Sequence, residues 1–264
     1  RGDQVDPGAN RREQVQQEPV QQRDGHERRP HPRPAQPPPD ACRPEALLGF
    51  HHVQGSLGGV AELWVAHLGE VPYEEAFELQ RHLRDRRAAG ELPDVLLVLE
   101  HPPVYTKGKR TEPGDLPMGE DWYRAQGIDV CDTDRGGRVT YHGPGQLVAY
   151  PIMAVERVAD FVHSMEDAMV AALADEGVVA EPRDTPFTGV WAGDRKIGSI
   201  GVHVNRGVTT HGFAINVNND LQPFEWIVPC GIEGCKVTSL TRELGAEQDL
   251  DAFAGALVAR FGEV

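Results

Sequence analysis

The spacing of apolar residues changes several times along the chain, and each change predicts an element. Glu62–Leu68 (ELWVAHL) reads as a strand. After Pro72, Ala76, Leu79, Gln80 and Leu83 recur at three- and four-residue steps, which predicts a helix ending near Gly90. Asp94–Glu100 (DVLLVLE) is short and apolar, the signature of a strand buried on both faces. His101-Pro102-Pro103 must then leave the sheet, because proline cannot serve the ladder. Residues 106–120 read as loop. Ile128–Cys131 and Arg138–Tyr141 read as short strands around the turn Asp134-Arg135-Gly136-Gly137, and Gln146–Met153 as a longer one. Asp160–Gly177 is a second helix, with Phe161, Met165, Met169, Ala172 and Leu173 on one stripe. Thr188–Trp191 and Lys196–Val204 flank Ala192-Gly193-Asp194-Arg195, a hairpin turn, and Val208–Val217 pairs naturally with the second of them. Asp249–Phe261 is a closing amphipathic helix. Hairpins mixed with separated helices predict an α+β fold around a mixed or antiparallel sheet.

Composition divides the chain. Residues 1–40 hold eight Pro, seven Asp or Glu and seven Arg, with no Phe, Trp or Tyr. Such a stretch buries too little apolar surface to offset its ordering entropy. Residues 1–45 are therefore expected to form a disordered tail, and 46–264 one domain; about 220 residues suffice for a sizeable core. The tail lacks the apolar segment of a signal peptide. The net charge of −15 disfavours a nucleic-acid binder. No run approaches the roughly 20 apolar residues of a membrane span, so none is expected to cross a membrane; with the free thiols described next, which fit a reducing compartment, a cytoplasmic protein is expected. Cys42, Cys131, Cys230 and Cys235 are too sparse for a disulfide framework and read as free thiols. The C-x4-C spacing of the last two has no second Cys/His pair to complete a metal site, and none is expected.

Three segments carry candidate chemistry. Arg135–Gln146 (RGGRVTYHGPGQ) has four glycines between short strands, which let the backbone approach a ligand, with Tyr141 and His142 placed to reach into a cleft. Gly198 and Gly201 are unusual inside the strand that starts at Lys196, and imply that something packs closely on that backbone. Cys230 sits between Pro229 and Gly231, in a turn rather than a core position. A cysteine nucleophile needs a nearby cation to favour its thiolate; Lys196 and His142 are candidates, and spacing alone does not show proximity. Taken singly, each segment also reads as ordinary: a surface hairpin, a solvated lysine, an inert thiol.

Together, EHPPVYTKGKR (Glu100–Arg110), RGGRVTYHGPGQLVAYP (Arg135–Pro151), RKIGSIGVHVNRGVTTHGFAINVNNDL (Arg195–Leu221) and PFEWIVPCGIEGCKVTSL (Pro223–Leu240) resemble the lipoyl(octanoyl) transferase family, also called lipoate-protein ligase B. The resemblance spans roughly residues 60–262; the tail lies outside it. It implies a fold like the catalytic domain of biotin and lipoate ligases, a mixed sheet with flanking helices plus a smaller sheet. It also implies roles. Cys230 matches the acyl-thioester nucleophile and Lys196 the lysine that keeps it anionic. Three stretches match the substrate-binding ones: Arg135, Gly136, Gly137, Arg138, Val139, Thr140, Tyr141 and His142; then Ser199, Ile200 and Gly201; then Gly212, Phe213 and Ala214.

The implied reaction moves an octanoyl group from the phosphopantetheine of acyl carrier protein to Cys230, then to a lysine of a lipoyl domain. The acceptors are the lipoyl domains of 2-oxoacid dehydrogenases and the glycine cleavage H protein. No cofactor is expected, since the donor thioester is already activated. Small residues at Gly198, Ser199, Gly201, Gly212 and Ala214 are expected to leave room for the acyl chain. Both partners are acidic on this reading, so a local basic patch is expected among Lys107, Lys109, Arg110, Arg135, Arg138, Arg195 and Arg206. Two alternatives stand beside it: an ATP-dependent lipoate or biotin ligase, which needs no cysteine, and a non-catalytic module that binds carrier proteins.

Overall fold

The computed structural model describes residues 51–54 and 62–263 except 233, all in one unit; the expected 1–45 tail and Cys42 lie outside the described residues. The described residues form twelve strands: β1 (His51–Gln54), β2 (Glu62–Glu70), β3 (Asp94–Glu100), β4 (Val104–Lys107), β5 (Asp129–Asp132), β6 (Thr140–His142), β7 (Gln146–Ile152), β8 (Glu181–Arg183), β9 (Gly189–Ala192), β10 (Arg195–Asn205), β11 (Val208–Asn216) and β12 (Lys236–Val237). Nine of them make a large sheet, ordered β1-β2-β3-β7-β11-β10-β9-β8 with β12 beside β10; β5-β4-β6 make a small one. The pairs β2–β3, β4–β5 and β10–β12 are parallel and the others antiparallel, so the sheet is mixed, as the pattern predicts.

Helix α1 (Tyr73–Ala88) covers one face of the large sheet, and α3 (Val158–Asp175) with α6 (Leu250–Phe261) the other. The period of two divides the central strands between them. Leu96, Val98, Leu147 and Ala149 pack with Met165, Met169 and Phe253 under α3 and α6. Val95, Leu97, Leu99, Val148 and Ile152 pack with Ala76 and Leu83 of α1. Strands wet on neither face must be apolar at every position, which is why DVLLVLE is so uniform. Helix α6 is started by Asp249, whose side chain accepts the Ala252 N–H at 3.0 Å.

The small sheet has its own aromatic core of Tyr105, Tyr123, Tyr141, Phe224 and Ile227. Short α2 (Glu120–Ala125) joins β4 to β5; α4 (Gln222–Glu225) and α5 (Leu240–Leu244) flank the segment that carries Cys230. The two short strands expected around residues 134–137 do not pair with each other. Both pair with β4, at the start of the stretch read as loop.

Candidate active site

Lys196 lies near the start of β10, held between Trp191 of β9 and Val237 of β12. Its chain is 4% exposed, and its Nζ emerges 2.8 Å from the Thr188 carbonyl oxygen and 3.5 Å from Cys230 Sγ. Its ammonium also sits 5.8 Å from the centre of the Trp191 ring. Cys230 is in a short turn after β11, half-buried, with its backbone in the left-handed region (φ 56°). Three hydrogen bonds fix that turn: the Cys230 N–H to Val139 O (2.9 Å), Gly231 N–H to Val228 O (3.0 Å) and Ile232 N–H to Pro229 O (3.0 Å). The following Gly231 is also left-handed (φ 71°), and the space a side chain would take there is filled by Arg138. Thirty-four residues separate the cysteine and lysine in the chain; the sheet brings them together.

The pair borders a cavity of about 700 Å³. Of the residues expected to bind substrate, Arg135, Gly137, Arg138, Thr140, His142, Ser199, Ile200, Gly201, Gly212, Phe213 and Ala214 line it. Gly136, Val139 and Tyr141 do not. Gly136 braces the wall from behind, donating to Val202 O at 3.0 Å. Val139 and Tyr141 are buried in the aromatic core of the small sheet, because alternate residues along β6 face opposite ways. This corrects the expectation that Tyr141 reaches into the cleft; burial pushes its phenol up to about 12. Gly198 is likewise not part of the wall: a side chain there would meet Met169 Sδ at 2.9 Å and Val190 on the core side. Besides Arg110 and Gly231, the Thr185–Thr188 segment, Glu112 and Ile232 line it as well. These were not picked out from the sequence, because only the fold brings them to β10.

Behind the wall lies a buried polar layer. The Asn216 side-chain amide donates to Thr238 O (3.0 Å), Gln146 Nε2 donates to Asn216 Oδ1 (2.8 Å), and Gln146 Oε1 faces His142 Nδ1 (2.7 Å). The chain of donors therefore puts the His142 proton on Nδ1 and leaves Nε2 a lone pair. Burial, reinforced by the Arg135 charge and only partly opposed by the Gln146 hydrogen bond, holds this imidazole well below its ordinary range, so it is neutral. His101 is lowered to about 4, again chiefly by burial. Arg135 is buried, bonded to Thr106 and Gly136, and among the described residues has no carboxylate partner.

The expected basic patch is largely neutralised. Lys107 pairs with Glu120 (2.6 Å) and Asp132, Arg138 with Asp115 (2.6 Å) and Glu112, and Arg195 with Glu243 (2.7 Å). Arg135 is inside. In so acidic a chain most cations find a carboxylate. Lys109, Arg110 and Arg206 are exposed without one among the described residues, and Arg110 stands at the cavity. Among the described residues no His, Cys, Asp and Glu cluster is arranged to hold a metal ion, and no helix is long and apolar enough to cross a membrane. Cys131, Cys230 and Cys235 are free thiols.

A two-sheet α+β architecture with a cysteine–lysine pair on a slot between the sheets defines a class, and comparison with known proteins gives it a name. The fold matches a lipoate-protein ligase A whose structure was solved with bound ATP, with a TM-score of 0.60 at 20% identity, covering 75% of this chain and 83% of that one. Residues 72–262 match the lipoyl protein ligase A/B catalytic domain, and the chain belongs to that family. Proteins named octanoyltransferase are nearer still. That of Mycolicibacterium smegmatis is 47% identical over 204 residues, 74% of this chain and 86% of that protein. That of Rubrobacter xylanophilus is 47% identical over 201 residues, covering 74% and 90%.

Proposed function

We propose that the protein is an octanoyltransferase of protein lipoylation, working through a thioester on Cys230. The observation that carries this reading is the Lys196 ammonium 3.5 Å from the Cys230 sulfur at the edge of a cavity able to take an acyl chain. The names of its relatives agree with it. The positive charge favours the anionic sulfur, the form that attacks.

In the first step Cys230 sulfur attacks the carbonyl of an octanoyl thioester on acyl carrier protein. A new C–S bond forms, the old one breaks, and the phosphopantetheine thiolate leaves; one thioester replaces another at little net cost. In the second, the amine of a lipoyl-domain lysine attacks, an amide C–N bond forms, the electron pair of the C–S bond returns to Cys230, and the amine's proton goes to a base or solvent. The lipoyl domains of 2-oxoacid dehydrogenases and the glycine cleavage H protein are the acceptors on this reading. Neither step uses ATP or a resident cofactor. The N–H groups of residues 230–232 are already bonded, that of Cys230 to Val139 O and the other two within the turn, so the turn's own backbone has none left for the developing oxyanion. Lys196 has a third N–H left for it. Burying six or seven methylenes contributes roughly 5 kcal/mol of acyl binding.

Incubation with octanoyl-acyl carrier protein followed by intact-mass measurement tests this. The expected result is a hydroxylamine-sensitive octanoyl adduct that is absent from Cys230→Ala. Ligation of free octanoate with ATP that survives Cys230→Ser would overturn it.

A further inference from the structure

Three described residues other than glycine have left-handed backbones: Arg206 in the β10–β11 turn, Cys230, and His211 (φ 59°). His211 lies inside strand β11, where extended backbone is the rule. The cause is local. The β11–β7 register, Asn216↔Gln146 to Phe213↔Ala149, carried two residues further sets His211 opposite Pro151, which has no N–H to offer. Thr209 bridges the gap, its Oγ1 donating to Pro151 O at 2.6 Å and its N–H to Met153 O at 2.9 Å. His211 turns its own N–H out of the sheet to Gln80 Oε1 of α1, at 2.6 Å.

Glycine takes this conformation freely, and asparagine, aspartate and histidine more easily than most residues, though rarely inside a strand. A buried histidine there means that the side chain contributes something the backbone alone does not. Its Nε2 lies 2.6 Å from Asp134 Oδ1. The carboxylate can only accept, so Nε2 carries the proton, and Nδ1 is left facing the Tyr73 hydroxyl at 3.4 Å. Asp134 directly precedes Arg135, the first residue of the cavity wall. On the chain's other side Gly212 follows His211 and lines the same cavity, paired with Gly201 of β10; a side chain at Gly212 would collide with Ala149 O and Pro151.

The geometry points to His211 as a positioning residue for acyl transfer: its bond to Asp134 fixes the Arg135–Arg138 wall, and its left-handed backbone sets Gly212 in the lining formed by β10 and β11. The inference rests on the reading of Cys230 as acyl carrier. It assigns no contact between His211 and the reacting atoms.

The test combines thermal melting with the kinetics of octanoyl loading from octanoyl-acyl carrier protein. His211→Gly relieves the backbone and removes the imidazole. Relief of the backbone is expected to offset part of the lost packing, so that it melts within a few degrees of the wild type, yet loads with about tenfold lower efficiency, chiefly through a higher KM. His211→Gln, which keeps an N–H donor for Asp134, should recover part of the loss, and Asp134→Ala added to His211→Gly should cost little more. Wild-type KM and kcat in His211→Gly would overturn the inference. So would a loss of melting temperature that parallels the loss of loading, with no recovery in His211→Gln. Failure of the wild-type protein itself to load is a different result and sinks the Cys230 reading. Octanoate affinities of wild type and His211→Gly, measured by calorimetry, then still decide: weaker binding in the variant supports the positioning role and equal binding removes it.

Discussion

A cysteine with φ near 56° is held where few side chains sit comfortably, and the turn around Cys230 is built to keep it there. Pro229 fixes the entry, Gly231 accepts a second left-handed conformation, and the Cys230 N–H is tied to Val139 of the small sheet. The consequence is a sulfur presented to Lys196 from one sheet edge while its backbone is anchored to the other. Cys235, five residues on, is a natural control. Burial pushes its thiol up to about 11; the Lys196 charge works against that rise and the Cys230 charge adds to it. At pH 7.5 Cys235 is then almost entirely protonated and slow to react. Brief iodoacetamide treatment is expected to modify Cys230 first, read by peptide mapping, and Cys235→Ser to retain wild-type loading. Faster alkylation of Cys235 would contradict the assignment of roles.

The alternation along β6 does at the level of the element what the turn does for one residue. Arg138, Thr140 and His142 face the cavity; Val139 and Tyr141 anchor the strand in the aromatic core beneath. Tyr141→Ala should therefore cost about 3–5 kcal/mol of stability by emptying that core, seen as a lower denaturant midpoint, with acyl KM nearly unchanged. A large KM effect at wild-type stability would show instead that Tyr141 touches the substrate. Most of the large sheet was legible in the sequence, because β2, β3, β7, β10 and β11 are each seven or more residues long. The helices α1, α3 and α6 announced themselves by their stripes. The small sheet was only half visible: β4, β5 and β6 have three or four residues each, too few for a period to show, and β4–β5 is a parallel pair with no turn signal. Gln80 on the apolar stripe of α1 and Pro151 in a strand were visible irregularities. Their meaning depended on His211, which lies 131 positions from Gln80. The Thr185–Thr188 wall had no local signature at all.

At the scale of the molecule the charge of −15 works against the acidic partners proposed for it. Lys107, Arg138 and Arg195 are held in ion pairs and Arg135 is buried, so docking of the proposed partners would fall to the exposed Lys109 and Arg110. Their joint reversal to glutamate is expected to raise KM for octanoyl-acyl carrier protein several-fold at low salt, and the difference should shrink towards 1 M salt, where screening reaches about 3 Å. A salt-independent or absent effect would place the docking face elsewhere. Acid should act on the whole fold through the buried histidines. His101 titrates at about 4 in the folded protein, while His142 and His211 are also lowered, all chiefly by burial. Unfolded, each titrates near 6.5. Between these values the unfolded chain binds protons that the folded one refuses, so stability is full above about pH 6.5 and falls as the pH drops towards 4. Asp134, lowered by its hydrogen bond to His211, pulls the same way. His101 alone corresponds to roughly 3 kcal/mol lost by pH 4. Urea unfolding at pH 7.5 and 5.0 measures this: a lower midpoint at pH 5.0 is expected, and a difference that persists unchanged in His101→Gln would assign the acid sensitivity to other groups.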